Sequence, residues 1–108
     1  MSFPAGSSIL TPVQKTTLVQ IADYMKTDVS KVIVIECHTG SSGAYKSNIA
    51  LTKQQANAAK DYLIDLGIPA TRIEAVGSGS DKPITIDTSP KGDKQNTRTE
   101  LFWLRRSN

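Results

Sequence analysis

The stretch Lys31-Val32-Ile33-Val34-Ile35-Glu36-Cys37 constrains the fold of this chain more than any other. It is short, β-branched and apolar at consecutive positions, which predicts a strand covered on both faces, as in a sheet packed against helices. Thr39-Gly40-Ser41-Ser42-Gly43 then leaves the end of that strand as a loop. The aliphatic run Val32 to Ile35 is far shorter than the ~20 residues that cross a bilayer. Met1 to Gly6 has no basic start followed by an apolar stretch, so no signal peptide is expected at this end.

Around that strand the other elements follow. Thr11-Pro12 is a helix start, and Leu18, Ile21, Ala22 and Met25 recur at helical spacing, which predicts a helix over about 12–26. A second helix is expected to open at Thr52, where Thr52-Lys53-Gln54-Gln55 has the capping-box pattern, with Ala56, Ala59, Leu63 and Leu66 as its inner stripe. Gly67-Ile68-Pro69 ends it, Gly in the left-handed conformation and Pro unable to continue. Arg72 to Val76 reads as a second strand, parallel to the first through a right-handed crossover. Asp81 to Thr97 is polar and carries Pro83, Pro90 and Gly92, so it reads as a long excursion. Thr99 to Arg105 closes the sheet, with Phe102, Trp103 and Leu104 expected in the core. The fold class is therefore α/β: one domain over 1–108, a small sandwich with a short mixed sheet and helices packed on one face.

Several functions are disfavoured on composition and spacing. A single cysteine, Cys37, excludes an internal disulfide framework and a multi-cysteine metal site. The net charge of +3 is small and scattered, with Arg105-Arg106 the one adjacent arginine pair, so nucleic acid is not indicated. Cys37-His38 suggests a nucleophile and its base, but neighbours on a strand point to opposite faces, so catalysis is not expected. One His and one Cys cannot complete a zinc site without carboxylates from elsewhere, and Gly77-Ser78-Gly79-Ser80 is not a phosphate loop. No cofactor and no metal are expected. Lys82, Lys91 and Lys94 read as a solvated face.

One set of residues, in order along nearly the whole chain, carries a resemblance. It comprises Val34 to Gly40, Gly43, Asn48, Leu51-Thr52, Ala56, Tyr62-Leu63, Gly67-Ile68-Pro69, Arg72-Ile73, Gly77 and Gly79, with Asn96-Thr97-Arg98-Thr99-Glu100 near the end. This set resembles the OmpA-like domain family, whose pattern is roughly G-H-T-D, a Gly, an Asn, L-S-x-x-R-A, G-I, and a closing N-R-R-V-E. Phe3 with Leu10 also resembles the family's opening strand and the approach to its first helix, so a βαβαβ order is implied. The resemblance further implies a non-catalytic module of the bacterial cell envelope, periplasmic and tied to the outer membrane through a segment outside this chain. Its implied ligand is the diaminopimelate-bearing stem peptide of peptidoglycan, the Asp of H-T-D taking the ammonium and the Arg of L-S-x-x-R a carboxylate.

Matched position by position, the implied ligand-binding set is Thr39, Gly40, Asn48, Gln55 and Arg98. Gly40 stands where the family has Asp, and Gln55 where it has Arg. A charge-assisted hydrogen bond is worth about 1.5–3 kcal/mol, so losing two weakens binding by about 10²–10⁴. Peptidoglycan binding is therefore expected to be weak or lost, and Gly40→Asp with Gln55→Arg is expected to restore it. The alternative is a domain that binds a protein of an envelope secretion, motility or adhesion complex. Local readings stay open beside these: Gln55 as a capping-box residue, Asn48 as a turn-former, Gly40 as a tight-loop residue, and Arg98 in a salt bridge with Asp93 or Glu100.

Overall fold

The computed structural model describes residues 1–105 of the chain; Arg106, the second member of the arginine pair, lies outside them. The order is α1 (Pro12–Thr27), β1 (Lys31–His38), α2 (Tyr45–Asp65), a short 3-10 turn (Ala70–Arg72), β2 (Ile73–Gly79), α3 (Pro90–Asn96) and β3 (Arg98–Arg105). The sheet runs β2-β1-β3, with β1 parallel to β2 and antiparallel to β3. The mixed sheet matches the expectation. The opening strand does not form: Phe3 lies in irregular chain, and its ring is buried in the core.

Leu18, Ala22 and Met25 of α1 meet Ile33, Ile35 and Cys37 of β1 and Ala56, Ala59 and Leu63 of α2 in one apolar cluster. Each large side chain fully removed from water there contributes about 1.5–3 kcal/mol. The alanines let α2 approach the sheet, and Gly77 of β2 completes that approach. A Cβ at Gly77 would lie 2.3 Å from the Lys53 backbone nitrogen.

The second face of β1 is not covered by a helix. Val32 and Val34 are half-buried, and their β3 neighbours Leu104 and Phe102 are 51% and 42% exposed. Trp103 stands on the helix-covered face but at its margin, 41% exposed, edge-on to Tyr24 with ring centroids 5.3 Å apart. The expectation that Phe102, Trp103 and Leu104 form core is corrected: β3 is an outer strand, so apolar residues there reach only the rim of the cluster.

Helix α1 opens as its sequence implies. Thr11 Oγ1 accepts the Gln14 N–H and Gln14 Oε1 accepts the Thr11 N–H, a reciprocal cap. Its other end is closed by Arg72, which is buried and donates to the carbonyl oxygens of Met25 and Asp28 at 2.7 Å and of Lys31 at 3.1 Å. A guanidinium is well suited to this place, because orphan carbonyls at a helix C-terminus carry partial negative charge.

Helix α2 begins seven positions before the expected start, with Ala44 at its cap. Thr52 is therefore inside the helix and fully buried. Its hydroxyl reaches the Asn48 carbonyl at 2.9 Å and accepts the Gly79 N–H at 3.0 Å, tying α2 to β2. Gln55 is likewise no capping-box residue. The far end is as expected: Gly67 has φ +100°, and the Ile68 N–H returns to the Leu63 carbonyl while its side chain is buried.

Candidate functional site

The C-terminal end of β1 delivers Thr39 and Gly40 to the rim of a cleft of about 250 Å³, whose lining includes Asn48, Gln55, Asp93 and Thr97. Four of the five residues singled out in the sequence, Thr39, Gly40, Asn48 and Gln55, thus meet at one place. The loop is fixed from several sides. Thr39 N–H donates to the Gly79 carbonyl at 2.8 Å, Gly40 N–H to Thr97 Oγ1 at 3.2 Å, and Asn48 Nδ2 to the Ser42 carbonyl at 3.0 Å. Asn48 accordingly acts as the tie of this loop.

Gln55 is nearly buried, and its Nε2 donates to the Ser7 carbonyl at 2.9 Å, holding the N-terminal segment against the cleft. Arg98 is not among the lining residues. Its Nε donates to Glu100 at 3.0 Å, and its other nitrogens to the carbonyls of Asn96 at 2.8 Å and Lys82 at 2.9 Å. Of its two candidate partners Glu100 is the one it pairs with.

Asp93 has other work. Its Oδ1 accepts the Ser41 N–H at 2.8 Å and the Ser42 N–H at 3.3 Å, and its second oxygen accepts the Ser42 hydroxyl. The Ser42 hydroxyl and these amides hold its carboxyl below the ordinary range. A Cβ built on Gly40 would lie 2.1 Å from Asp93 Oδ1 and 2.8 Å from its Cα. The space that a side chain at position 40 would take is filled by a carboxylate from α3. A side chain at position 40 would therefore meet Asp93, and Gly40→Asp could be accommodated only by displacing it.

Sequence reasoning missed this role for Asp93, although a signal existed. Ser89-Pro90 repeats the Thr11-Pro12 helix start, and Ser89 Oγ accepts the Gly92 N–H as a cap. The helix it opens has seven residues and no apolar stripe, so periodicity could not reveal it.

A second polar group lies on the open face of the sheet. Glu36, His38 and Glu100 each offer one ligand atom, all within 4.8 Å of one another. Lys82 sits 2.8 Å from Glu36, so it is a counter-ion and not merely a solvated lysine, and Arg98 neutralises Glu100. Two carboxylates matched by two cations leave little net attraction for a metal ion. Ser78, the extra residue where the β1–β2 register slips, gives its hydroxyl to Glu36. Burial raises the Glu36 carboxyl, but Lys82 and Ser78 outweigh it and hold it low. His38 Nε2 meets Glu100 at 3.1 Å, while Nδ1 is buried without a hydrogen-bond partner among the described residues. Burial, helped by Arg98, lowers its pKa.

Cys37 points the other way, into the core, where its Sγ lies 3.5 Å from Thr99 Oγ1 and burial pushes the thiol pKa up. Adjacent on one strand, Cys37 and His38 serve opposite faces and form no nucleophile–base pair.

Comparison with known proteins gives a consistent result. The chain is 31% identical over 101 residues to the peptidoglycan-binding protein ArfA of Mycobacterium tuberculosis, covering 94% of this chain and 31% of that protein. It is 30% identical over 101 residues to the probable lipoprotein YiaD of Escherichia coli, covering 94% of this chain and 46% of the relative. The crystal structure of the peptidoglycan-associated lipoprotein from Burkholderia pseudomallei superposes with a TM-score of 0.87 at 28% identity, covering 95% of this chain and 87% of that one. This chain thus spans between about a third and a half of the length of those two curated relatives. With the OmpA family model matching residues 2–97, the chain belongs to the OmpA family, whose domains are non-catalytic binding modules.

Proposed function

We propose that this chain is the wall-binding domain of a longer bacterial envelope protein, working in the periplasm and joined to the outer membrane through a segment outside this sequence. It holds the peptide stems of peptidoglycan without covalent chemistry, in the cleft lined by Thr39, Gly40, Asn48, Gln55 and Asp93. No helix among the described residues is long and apolar enough to cross a membrane. The observation that carries this reading is that four of the five residues matching the family's binding motif, Thr39, Gly40, Asn48 and Gln55, converge on one cleft with a fixed carboxylate at its wall.

The same geometry supports a weakened hold on diaminopimelate. Gln55 replaces the family's arginine and is engaged with Ser7, and Arg98 is engaged with Glu100. The cation that would take a diaminopimelate carboxylate is therefore missing, at a cost of about 1.5–3 kcal/mol. Co-sedimentation with isolated diaminopimelate-type peptidoglycan tests this, at low and physiological salt. Saturable retention that rises on Gln55→Arg is the expected result. Failure of the chain to sediment with peptidoglycan of any stem chemistry would overturn the reading. The second reading, a protein-binding domain of an envelope secretion, motility or adhesion complex, would then take its place. It has its own support in the exposure of Phe102, Trp103 and Leu104 on the outer strand.

A further inference from the structure

The charge of the cleft identifies the stem chemistry it would take. Resting on the peptidoglycan reading above, we infer that the cleft selects a stem peptide whose third side chain ends in an ammonium with no free carboxylate beside it. Lysine supplies that chemistry, and so does diaminopimelate whose side-chain carboxylate is amidated.

Among the described residues lining the cleft, Asp93 is the one that carries a charge. An ionised carboxylate has about four acceptor positions. Ser41 and Ser42 occupy three of those on Asp93, two by N–H and one by hydroxyl, and so leave one for a ligand donor. These three bonds also fix the carboxylate in place before any ligand arrives, which removes part of the ordering cost of binding. The groups that would receive a carboxylate are turned away. Gln55 gives its Nε2 to Ser7, and the guanidinium of Arg98 is spent on Glu100 and two carbonyls outside the cleft. Lys94 lines a neighbouring cleft that shares Ala5, Asp93 and Thr97 with this one, and is not among the residues lining this one.

A free diaminopimelate end carries its ammonium and carboxylate on the same carbon. Seating that ammonium on Asp93 brings the carboxylate into the field of the same anion, with no cation to balance it. A lone ammonium meets attraction only. The specificity thus arises from a repulsive element as much as from the contact, and Asp93 supplies both.

The test uses the whole chain and four synthetic stem peptides that differ only at the third side chain: lysine, ε-N-acetyllysine, amidated diaminopimelate and free diaminopimelate. Calorimetric titration should show the lysine or the amidated peptide binding at least about tenfold more tightly than free diaminopimelate, the loss expected for one charge-assisted contact. Which of the two binds identifies the source of the ammonium. Acetylation of the lysine should abolish binding. Gln55→Arg should narrow or close that gap by raising affinity for free diaminopimelate about tenfold. Asp93→Asn should weaken the peptides that carry a lone ammonium.

Free diaminopimelate binding as tightly as the other two, or acetyllysine binding as well as lysine, would overturn the inference while leaving wall binding intact. Retention on peptidoglycan without binding of any of the four peptides would overturn the assignment to this cleft. No retention and no peptide binding would remove the wall-binding reading as well.

Discussion

The carboxylate of Asp93 stands where a side chain on Gly40 would be: a Cβ there would lie 2.1 Å from Asp93 Oδ1. The two residues are far apart in sequence, and each explains the other. A negative charge at this corner of the cleft is retained although the loop residue that would carry it is absent.

Gly40→Asp is therefore expected to destabilise the fold without improving wall binding. The new side chain must displace Asp93 and bring two carboxylates together, a loss of about 1–3 kcal/mol by overpacking alone. Urea midpoints with an unchanged slope measure it, and adding Asp93→Gly to the variant should recover part of the loss. A Gly40→Asp chain of parental stability that sediments better with peptidoglycan would contradict this account.

Gly77→Ala tests the helix–sheet contact. The added carbon would lie 2.3 Å from the Lys53 backbone nitrogen and 2.7 Å from its Cα, atoms that cannot rotate away. Either α2 lifts from β2 or the strand bends, and the expected loss is about 1–3 kcal/mol. A thermal midpoint equal to the parent's would show that the spacing between α2 and β2 is looser than described.

Arg72→Met keeps much of the side-chain volume and removes all three bonds to the carbonyls of Met25, Asp28 and Lys31. Hydrogen bonds from a charged donor contribute about 1.5–3 kcal/mol, and the freed carbonyls lose their partner in a buried place. A total loss of roughly 3 kcal/mol is expected, read by denaturant unfolding. Less than a third of that would mean that water replaces the guanidinium.

The pH dependence of stability follows from the group on the open face. The pKa of His38 is below its ordinary 6.5 in the folded chain, where Glu36, Glu100 and Arg98 surround it. The unfolded chain then binds a proton first as pH falls through that value, so His38 contributes stability above 6.5 that declines on acidification. Glu36 and Glu100 are held below their ordinary 4.5, and their contribution declines at lower pH still. His38→Gln should flatten the decline in stability that begins as pH falls through 6.5 and leave the lower, carboxylate limb in place. Identical slopes for both chains in that upper limb would rule out a neutral buried His38.

How much of this was visible in the sequence differs from residue to residue, for physical reasons. The α1 start at Thr11-Pro12, the strand from Lys31 and the stop at Gly67-Ile68-Pro69 rest on local chemistry, and local chemistry is what a sequence displays. Thr52-x-x-Gln55 has the same appearance as Thr11-x-x-Gln14, yet only the latter is a cap. A buried threonine inside a helix can bond its own preceding turn, and here it also receives Gly79 from another element. Phe102 and Leu104 read as core because they are apolar. Their exposure depends on β3 being outermost and on the absence of a helix over that face, which is set by tertiary arrangement. In the cleft, the convergence of Thr39, Gly40, Asn48 and Gln55 was legible through family spacing, whereas Asp93 reaches the site from a polar excursion with no periodic pattern. Arg98 was legible as a cation but not in its direction.

The bonds of Arg72 also govern the order in which the molecule assembles. The last turn of α1 and its cap end on carbonyls whose partner lies 47 and 44 residues further along the chain. That turn cannot be closed until α2 has been made and the chain has returned to start β2, so it is expected to fray early and lock late. A contact that closes only after the main barrier speeds unfolding on its removal far more than it slows folding, and that is the outcome expected for Arg72→Met. A single arginine at the threshold of β2 would then act chiefly as a brake on opening, setting how long the assembled domain persists once made.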